Sequence, residues 1–284
     1  MLDSENAVYE FDKIWDVEFM GSDAVKRVAE TARHVPTNVS SVLDVGCGNG
    51  LFLHLLQQEK TNRFTRLVGA DRSLAALKRV SAEKVECSVN KLPFADGEFD
   101  LVSCQEVLEH LPNAIFGEAI SEIARVSSSH ILVTVPYREN LAASFVECHE
   151  CHTLFNPNYH IHNFDEARLT SLFSAAGYSC DNTFLIGNSE AYFGYEYIRS
   201  KLLQKRDAFP WWTLCPSCGF GIPKPEEQRV QTAPPPRYSA IGRFVRYLWP
   251  RETRHPWIGA LYLKKGKAQK QLGAKENIGG LCGE

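Results

Sequence analysis

The chain has 284 residues, of which 44% are hydrophobic and 23% charged, and its formal net charge is −3. That length admits one large decorated domain or two small ones. The balanced charge and the lack of a basic block inside the expected fold leave sequence-independent nucleic-acid binding without electrostatic support.

Residues 1–40 read as helical. Tyr9, Phe11, Ile14, Trp15, Val17 and Phe19 crowd one stretch, and a second helix over 23–34 stops before Pro36. The acidic start has no apolar core of the secretory kind and no apolar run reaches membrane-spanning length, so the expected location is cytoplasmic. Strands are predicted at 41–45, 66–70, 85–89, 101–105 and 131–136. They alternate with helices at 50–60, 73–80, 115–126 and 165–176. Such alternation predicts an α/β fold with a doubly wound, mostly parallel sheet, because parallel strands need crossover connections. Asp165 and Gly177 supply the start and stop of the last helix. A strand at 179–186 follows. Residues 187–256, rich in aromatics and then in proline, read as a partly looped insertion with a helix over 243–249. Residues 257–264 make the closing strand, and 265–284, rich in lysine and glycine, a disordered tail. The expected divisions are therefore an N-terminal segment 1–40, a core 41–186 with a Cys/His loop over 137–163, the insertion 187–256, the closing strand 257–264 and the tail 265–284.

The most informative stretch is Val42-Leu43-Asp44-Val45-Gly46-Cys47-Gly48-Asn49-Gly50. It is a short apolar strand, a glycine turn and the start of a helix, the build of a nucleotide-type site. A dinucleotide fingerprint spaces its glycines G-x-G-x-x-G so that a pyrophosphate meets the helix N-terminus. Here the third glycine comes one residue early. Asp44, two residues before the first glycine, suits a cationic ligand better than a phosphate. Asp71, closing the next strand, can accept both hydroxyls of a ribose. The turn thus favours an adenosyl group without phosphates.

These residues resemble the class I S-adenosylmethionine (SAM)-dependent methyltransferases. The resemblance extends through Lys91-Leu92-Pro93-Phe94-Ala95-Asp96-Gly97-Glu98-Phe99-Asp100-Leu101-Val102 and Glu106-Val107-Leu108-Glu109-His110-Leu111, blocks similar to the quinone and small-molecule branch. It covers roughly residues 42–184 and the strand near 257–263. It implies a Rossmann-like sheet whose last strand is antiparallel and an N-terminal segment that folds over SAM as a lid. It implies that Asp44 and the turn at Gly46, Cys47 and Gly48 hold the methionine part, that Asp71 takes the ribose, and that Arg72 lies beside the adenine. Ser88 and Val89 fall where the family places an acid and its neighbour against the adenine, and Ser88 departs from that acid. Gln105 and Glu106 end the fourth strand next to the methyl group.

Nine cysteines are present. Cys47, Cys87, Cys104, Cys180 and Cys282 are scattered and read as small buried hydrophobes. Cys148, Cys151, Cys215 and Cys218 form two C-x₂-C pairs, the second within Cys215-Pro216-Ser217-Cys218-Gly219. Paired thiols at this spacing point to zinc, and four thiolates make a closed structural site, although they also suit iron. The pairs are 63 residues apart, longer than a self-contained zinc ribbon. Both follow strands that should end on the same sheet edge, where they can meet. His149, His152, His160 and His162 are spare ligands nearby. The loop is similar, more loosely, to that of family members that modify sugars or natural products.

Methyl transfer from a sulfonium is an in-line displacement that often needs one proton removed. His110, just past the fourth strand, is the candidate base, since imidazole titrates near neutrality; packing of its own turn is the competing role. His152, His160 and His162 are second candidates, and Tyr137 and Arg138 can reach an acceptor. The expected activity is methylation of a small-molecule acceptor, at oxygen, on a sugar or secondary metabolite. No membrane partner is expected, nucleic acid is disfavoured and the oligomeric state is open. The alternatives are an RNA or protein methyltransferase that docks through the zinc knuckle, and a non-catalytic scaffold of the same fold.

Overall fold

The structure is a computed structural model that describes residues 9–10, 15, 17–59, 62–193, 209–210, 213–221 and 251–266. Helix α1 (Val17–Ala32) leads into β1 (Ser41–Val45), α2 (Leu51–Gln57), β2 (Arg66–Asp71), α3 (Leu74–Leu77), β3 (Glu83–Glu86) and β4 (Phe99–Gln105). Then come α4 (Asn113–Val126), β5 (Ser127–Pro136), the short strands β6 (Val146–Glu147) and β7 (Leu154–Phe155), and α5 (Glu166–Ser171). Strands β8 (Tyr178–Ile186), β9 (Glu190–Phe193), β10 (Arg251–Arg254) and β11 (Trp257–Lys264) complete the order. Among the described residues no helix is long and apolar enough to cross a membrane.

Seven strands form one sheet in the order β3-β2-β1-β4-β5-β11-β8. The ladders from β3 to β5 are all parallel, and β11 runs antiparallel to both β5 and β8. The fold is the expected Rossmann-like one with an antiparallel last strand. Strand β1 lies inside the sheet, between β2 and β4, and its Val42, Leu43 and Val45 are buried by the layers on both faces. The chain leaves β1 toward β2 on one side and β4 on the other. The crevice at this reversal, beyond the carboxyl ends of the strands, is where open α/β sheets bind ligands.

The Leu92–Phe99 region explains one motif. Arg125, in the last turn of α4, donates to the carbonyls of Leu92 and Phe94 and to the carboxylates of Asp96 and Glu122. Phe94 packs edge-on to Phe99, centroids 5.1 Å apart. The block thus fixes a loop whose Leu92 reaches the cleft.

Element boundaries differ from expectation where local hydrogen bonds decide. Strand β3 spans Glu83–Glu86 instead of 85–89: the Cys87 amide makes the last rung, to the Asp71 carbonyl where β2 ends, and residues 87–89 go on to line the cleft. Helix α3 covers only Leu74–Leu77, since Arg79 and Val80 bond three residues back and tighten the last turn. The same tightening follows α5 at Leu172, Ser174 and Ala176. Helix α1 begins at Val17, earlier than the expected residue 23. The β6–β7 ribbon and the β9–β10 pair, which joins the two ends of the insertion, have no counterpart in the sequence reading. The expected helix over 243–249 and the tail over 267–284 lie outside the described residues.

Candidate active site and four-cysteine cluster

The glycine turn is forced by geometry. Gly46, Gly48 and Gly50 have φ of 69°, 54° and 77°, the left-handed region that costs a side chain free energy. A Cβ on Gly46 would lie 2.3 Å from Val107 Cγ2, and one on Gly48 2.8 Å from the Trp15 ring. The amides of Gly46 and Cys47 donate to the Ala70 carbonyl at 2.7 and 3.1 Å, which ties the turn to the end of β2.

Asp71 closes this corner. Its two oxygens accept from the Gly48 amide at 2.8 Å and the Ser73 amide at 2.9 Å. Burial nonetheless raises its pKa. Asp71 and Arg72 both line the cleft, and the Arg72 guanidinium lies 5.1 Å above the Tyr9 ring. Ser88 and Val89 form the adjoining wall.

Asp44 lies behind the turn, 3% exposed, with no donor to Oδ1 among the described residues. Burial, aided by the Asp71 charge, pushes its pKa up to about 7 against the Ser103 hydroxyl. Cys47 is buried against Gly69, and burial holds its thiol far above the usual range, so the turn offers its backbone and not its sulfur. Gln105 turns inward, donating to Ser103 Oγ at 2.9 Å. Glu106 lines the cleft with φ 54°, and Arg27 of α1 lies 3.7 Å from its Oε1. Arg27 Nη1 is buried without a hydrogen-bond partner. Sequence reasoning missed Arg27, because an arginine on a helix carries no signal that separates it from a solvated one.

His110 also lines the cleft and shares a hydrogen bond of 3.2 Å between its Nδ1 and Tyr9 Oη. Burial, then the His160 charge, lowers its pKa to about 3. A base so depressed is a weak proton acceptor at neutral pH. Tyr9 and Trp15 cross the cleft mouth: Ser73 Oγ donates to the Tyr9 carbonyl and Asn49 Nδ2 to that of Trp15. Glu109, next to His110, is fully buried. The sequence marks it only as the second acid of an otherwise apolar block.

The four paired cysteines meet. Cys148 Sγ is 3.6 Å from Cys218 Sγ and Cys151 Sγ 3.4 Å from Cys215 Sγ, and all four sulfurs lie within 4.8 Å of one another. A tetrahedral zinc–thiolate centre, with bonds of about 2.3 Å, sets sulfurs about 3.8 Å apart. The knuckles share a backbone. The His152 amide closes on the Cys148 carbonyl and the Gly219 amide on that of Cys215, and His152 and Gly219 both have positive φ. Strands β5 and β8 run the same way, which brings the two following loops to one edge. His149 stands between the Phe209 and Phe220 rings and His152 bonds Glu147, so the spare histidines are engaged elsewhere. The donor set fits zinc, with iron as the chemical alternative.

Comparison with known proteins agrees with this layout. A family model described as a methyltransferase domain matches residues 18–183. An uncharacterized protein of Methanocaldococcus jannaschii is 36% identical over 104 residues, 35% of this chain and 42% of that protein. The ubiquinone biosynthesis O-methyltransferase of Hahella chejuensis is 34% identical over 96 residues, 30% of this chain and 38% of that protein. The chain thus spans about two fifths of the length of these curated relatives. Among solved structures, a chain from the Haloferax volcanii complex of the Trm112 methyltransferase activator with a methyltransferase superposes with a TM-score of 0.54. It is 16% identical, with 92% of this chain and 96% of that chain covered. A SAM-dependent methyltransferase from Archaeoglobus fulgidus gives 0.51 at 16% identity, covering 89% and 100%. Matched over more than half its length, with the sheet order and the glycine crevice in place, the chain belongs to the methyltransferase-domain family.

Proposed function

We propose that the chain is a SAM-dependent methyltransferase that transfers the methyl group to an oxygen of a small-molecule acceptor. The observation that carries this is the left-handed glycine turn closed by Asp71 at the sheet reversal. Asp44 and the backbone of Gly46, Cys47 and Gly48 take the methionine part of SAM, and Asp44 ionises as the ammonium arrives. Arg27, whose Nη1 is ion-paired with Glu106 but makes no hydrogen bond among the described residues, faces the methionine carboxylate. Asp71 keeps a lone pair on each oxygen for the ribose hydroxyls, Arg72 flanks the adenine, and Ser88 with Val89 walls it. Gln105 and Glu106 border the transferred methyl group. His110 faces the acceptor and exchanges a hydrogen bond with the lid through Tyr9.

The chemistry asked of these groups is alignment and water exclusion. Holding donor and nucleophile in line supplies most of what a displacement at methyl requires. The zinc at Cys148, Cys151, Cys215 and Cys218 is structural: four thiolates leave no open position. It joins the loop after β5 to residues 213–221.

Calorimetry with SAM and with NAD tests the cofactor, and a screen of hydroxylated small molecules tests the acceptor. SAM binding with turnover on a small acceptor is the expected result. Binding of neither nucleotide overturns the reading in favour of a scaffold. Turnover confined to RNA or protein overturns the acceptor class in favour of docking through the cysteine module.

A further inference from the structure

Glu109 has no part in the cleft chemistry above. Its side chain is 1% exposed and neither oxygen meets a hydrogen-bond donor among the described residues. Ionising a carboxyl in such a place is costly, so it stays protonated unless a cation shares its pocket. His110 Nε2 stands 3.9 Å from its Oε1, and the His160 ring lies edge-on to His110 with centroids 4.7 Å apart. One donor atom from each of Glu109, His110 and His160 lies within 4.8 Å of the other two. The main chain builds this meeting: the amides of Ile161 and His162 donate to the Glu109 carbonyl at 2.8 and 3.1 Å.

The second layer is also present. His160 Nδ1 is held by Glu139 Oε2, and Glu139 Oε1 accepts from Asn156 Nδ2 at 3.3 Å. Metal-bound imidazoles carry this arrangement, one ring nitrogen fixed by a carboxylate and the other left for the ion. His110 Nδ1 is fixed in the same sense by the Tyr9 hydroxyl.

We propose that Glu109, His110 and His160 bind one divalent first-row transition cation beside the acceptor end of the cleft, and that this cation holds the acceptor. Two imidazoles and one carboxylate suit Mn²⁺, Fe²⁺, Co²⁺ or Zn²⁺ and leave coordination positions open. The site is separate from the four cysteines. Its role rests on the methyltransferase reading, but the binding of the ion does not. Open positions on one ion favour an acceptor with a hydroxyl and a second oxygen on neighbouring carbons. A hydroxyl on such an ion ionises near neutral pH, its proton passing to solvent. The oxygen's electron pair then forms the bond to the methyl carbon as the sulfur–methyl bond breaks and its pair returns to sulfur. Loading the ion on His110 Nε2 leaves the ring proton on Nδ1, where Tyr9 Oη accepts it, and displaces the contact of His110 with the Tyr159 backbone.

The test is a titration of the full chain with Mn²⁺, followed by loss of the free-ion electron paramagnetic resonance signal. Mn²⁺ prefers oxygen and imidazole to thiolate, so the cysteine cluster does not report. One ion per chain is expected. Glu109→Gln and His160→Gln should each weaken it at least tenfold, and Glu139→Gln about 10–100-fold through the second layer. SAM binding by calorimetry and the melting temperature should persist in all three variants. No Mn²⁺ binding by the parent chain, or equal binding by folded Glu109→Gln and His160→Gln, overturns the proposal. Failure of the parent chain to bind SAM instead removes the methyltransferase reading and leaves the ion site standing.

Discussion

Replacing Gly46 by alanine tests whether the turn is held by sterics or is merely tolerant. Two costs follow from the structure. At φ 69° a Cβ meets its own carbonyl, for about 1–2 kcal/mol. The same methyl would sit 2.3 Å from Val107 Cγ2, an overlap that the side chain must relieve by moving, for about 1–3 kcal/mol. Gly46→Ala should therefore lose about 2–5 kcal/mol, and a melting temperature roughly 4–20 °C lower is expected for a domain of this size. Both residues line the cleft, so SAM affinity should fall at least tenfold in calorimetry. The paired variant Gly46→Ala/Val107→Ala separates the terms. Removing the γ-methyls relieves the overlap and leaves the dihedral strain, so the two changes should couple favourably by about 1–3 kcal/mol in a double-mutant cycle. An unchanged melting temperature in Gly46→Ala, or strict additivity in the cycle, refutes the steric account of the turn.

Asp44 predicts a pH dependence. Its folded pKa of about 7 lies above the unfolded value of about 3.9. The stability it contributes is therefore full below pH 4 and lost as pH rises through 7, up to about 4 kcal/mol in the ligand-free chain. The SAM ammonium needs the ionised form, so affinity should rise about tenfold per pH unit from pH 5 to 7, then level; a flat calorimetric profile, or an Asp44→Asn variant that keeps the slope, contradicts the assignment. Metal analysis should find one zinc per chain at the cysteine cluster, lost in Cys215→Ser with a lower melting temperature; a metal-free parent chain contradicts it. Arg125→Ala should cost about 2 kcal/mol in denaturant unfolding, because two carbonyls and two carboxylates lose their shared donor. His110→Ala should lower turnover much more than SAM affinity, through loss of a group that faces the acceptor, and unchanged turnover removes His110 from the chemistry.

What was legible in the sequence followed from backbone necessity. Glycines at three positive-φ positions, an acid at the end of each of two apolar strands and a capped helix at Asp165 each have few other physical uses. The meeting of two cysteine pairs across 63 residues was legible for the same reason, since parallel strands end on one edge. Boundaries were less so. Strand β3 stops at Glu86 because its partner β2 ends at Asp71, a limit set by the neighbouring strand and not by the local residues. Glu109 was illegible in kind: an acid in Glu-Val-Leu-Glu-His reads as solvated until the fold buries it.

The two acids of that block show what the fold adds. Glu106 and Glu109 are three residues apart, separated by an apolar pair. The left-handed step at Glu106, φ 54°, sends the first carboxylate into the cleft, and the 3-10 turn Leu108–His110 sends the second beneath it. One meets the Arg27 guanidinium and the Thr134 hydroxyl. The other meets two imidazoles and no donor. A chain that needed Glu109 only for packing would do better with leucine, which leaves nothing unpaired. Retention of a carboxylate there makes physical sense when a positive charge shares the pocket, and among the described residues the groups that converge on it are shaped to hold one.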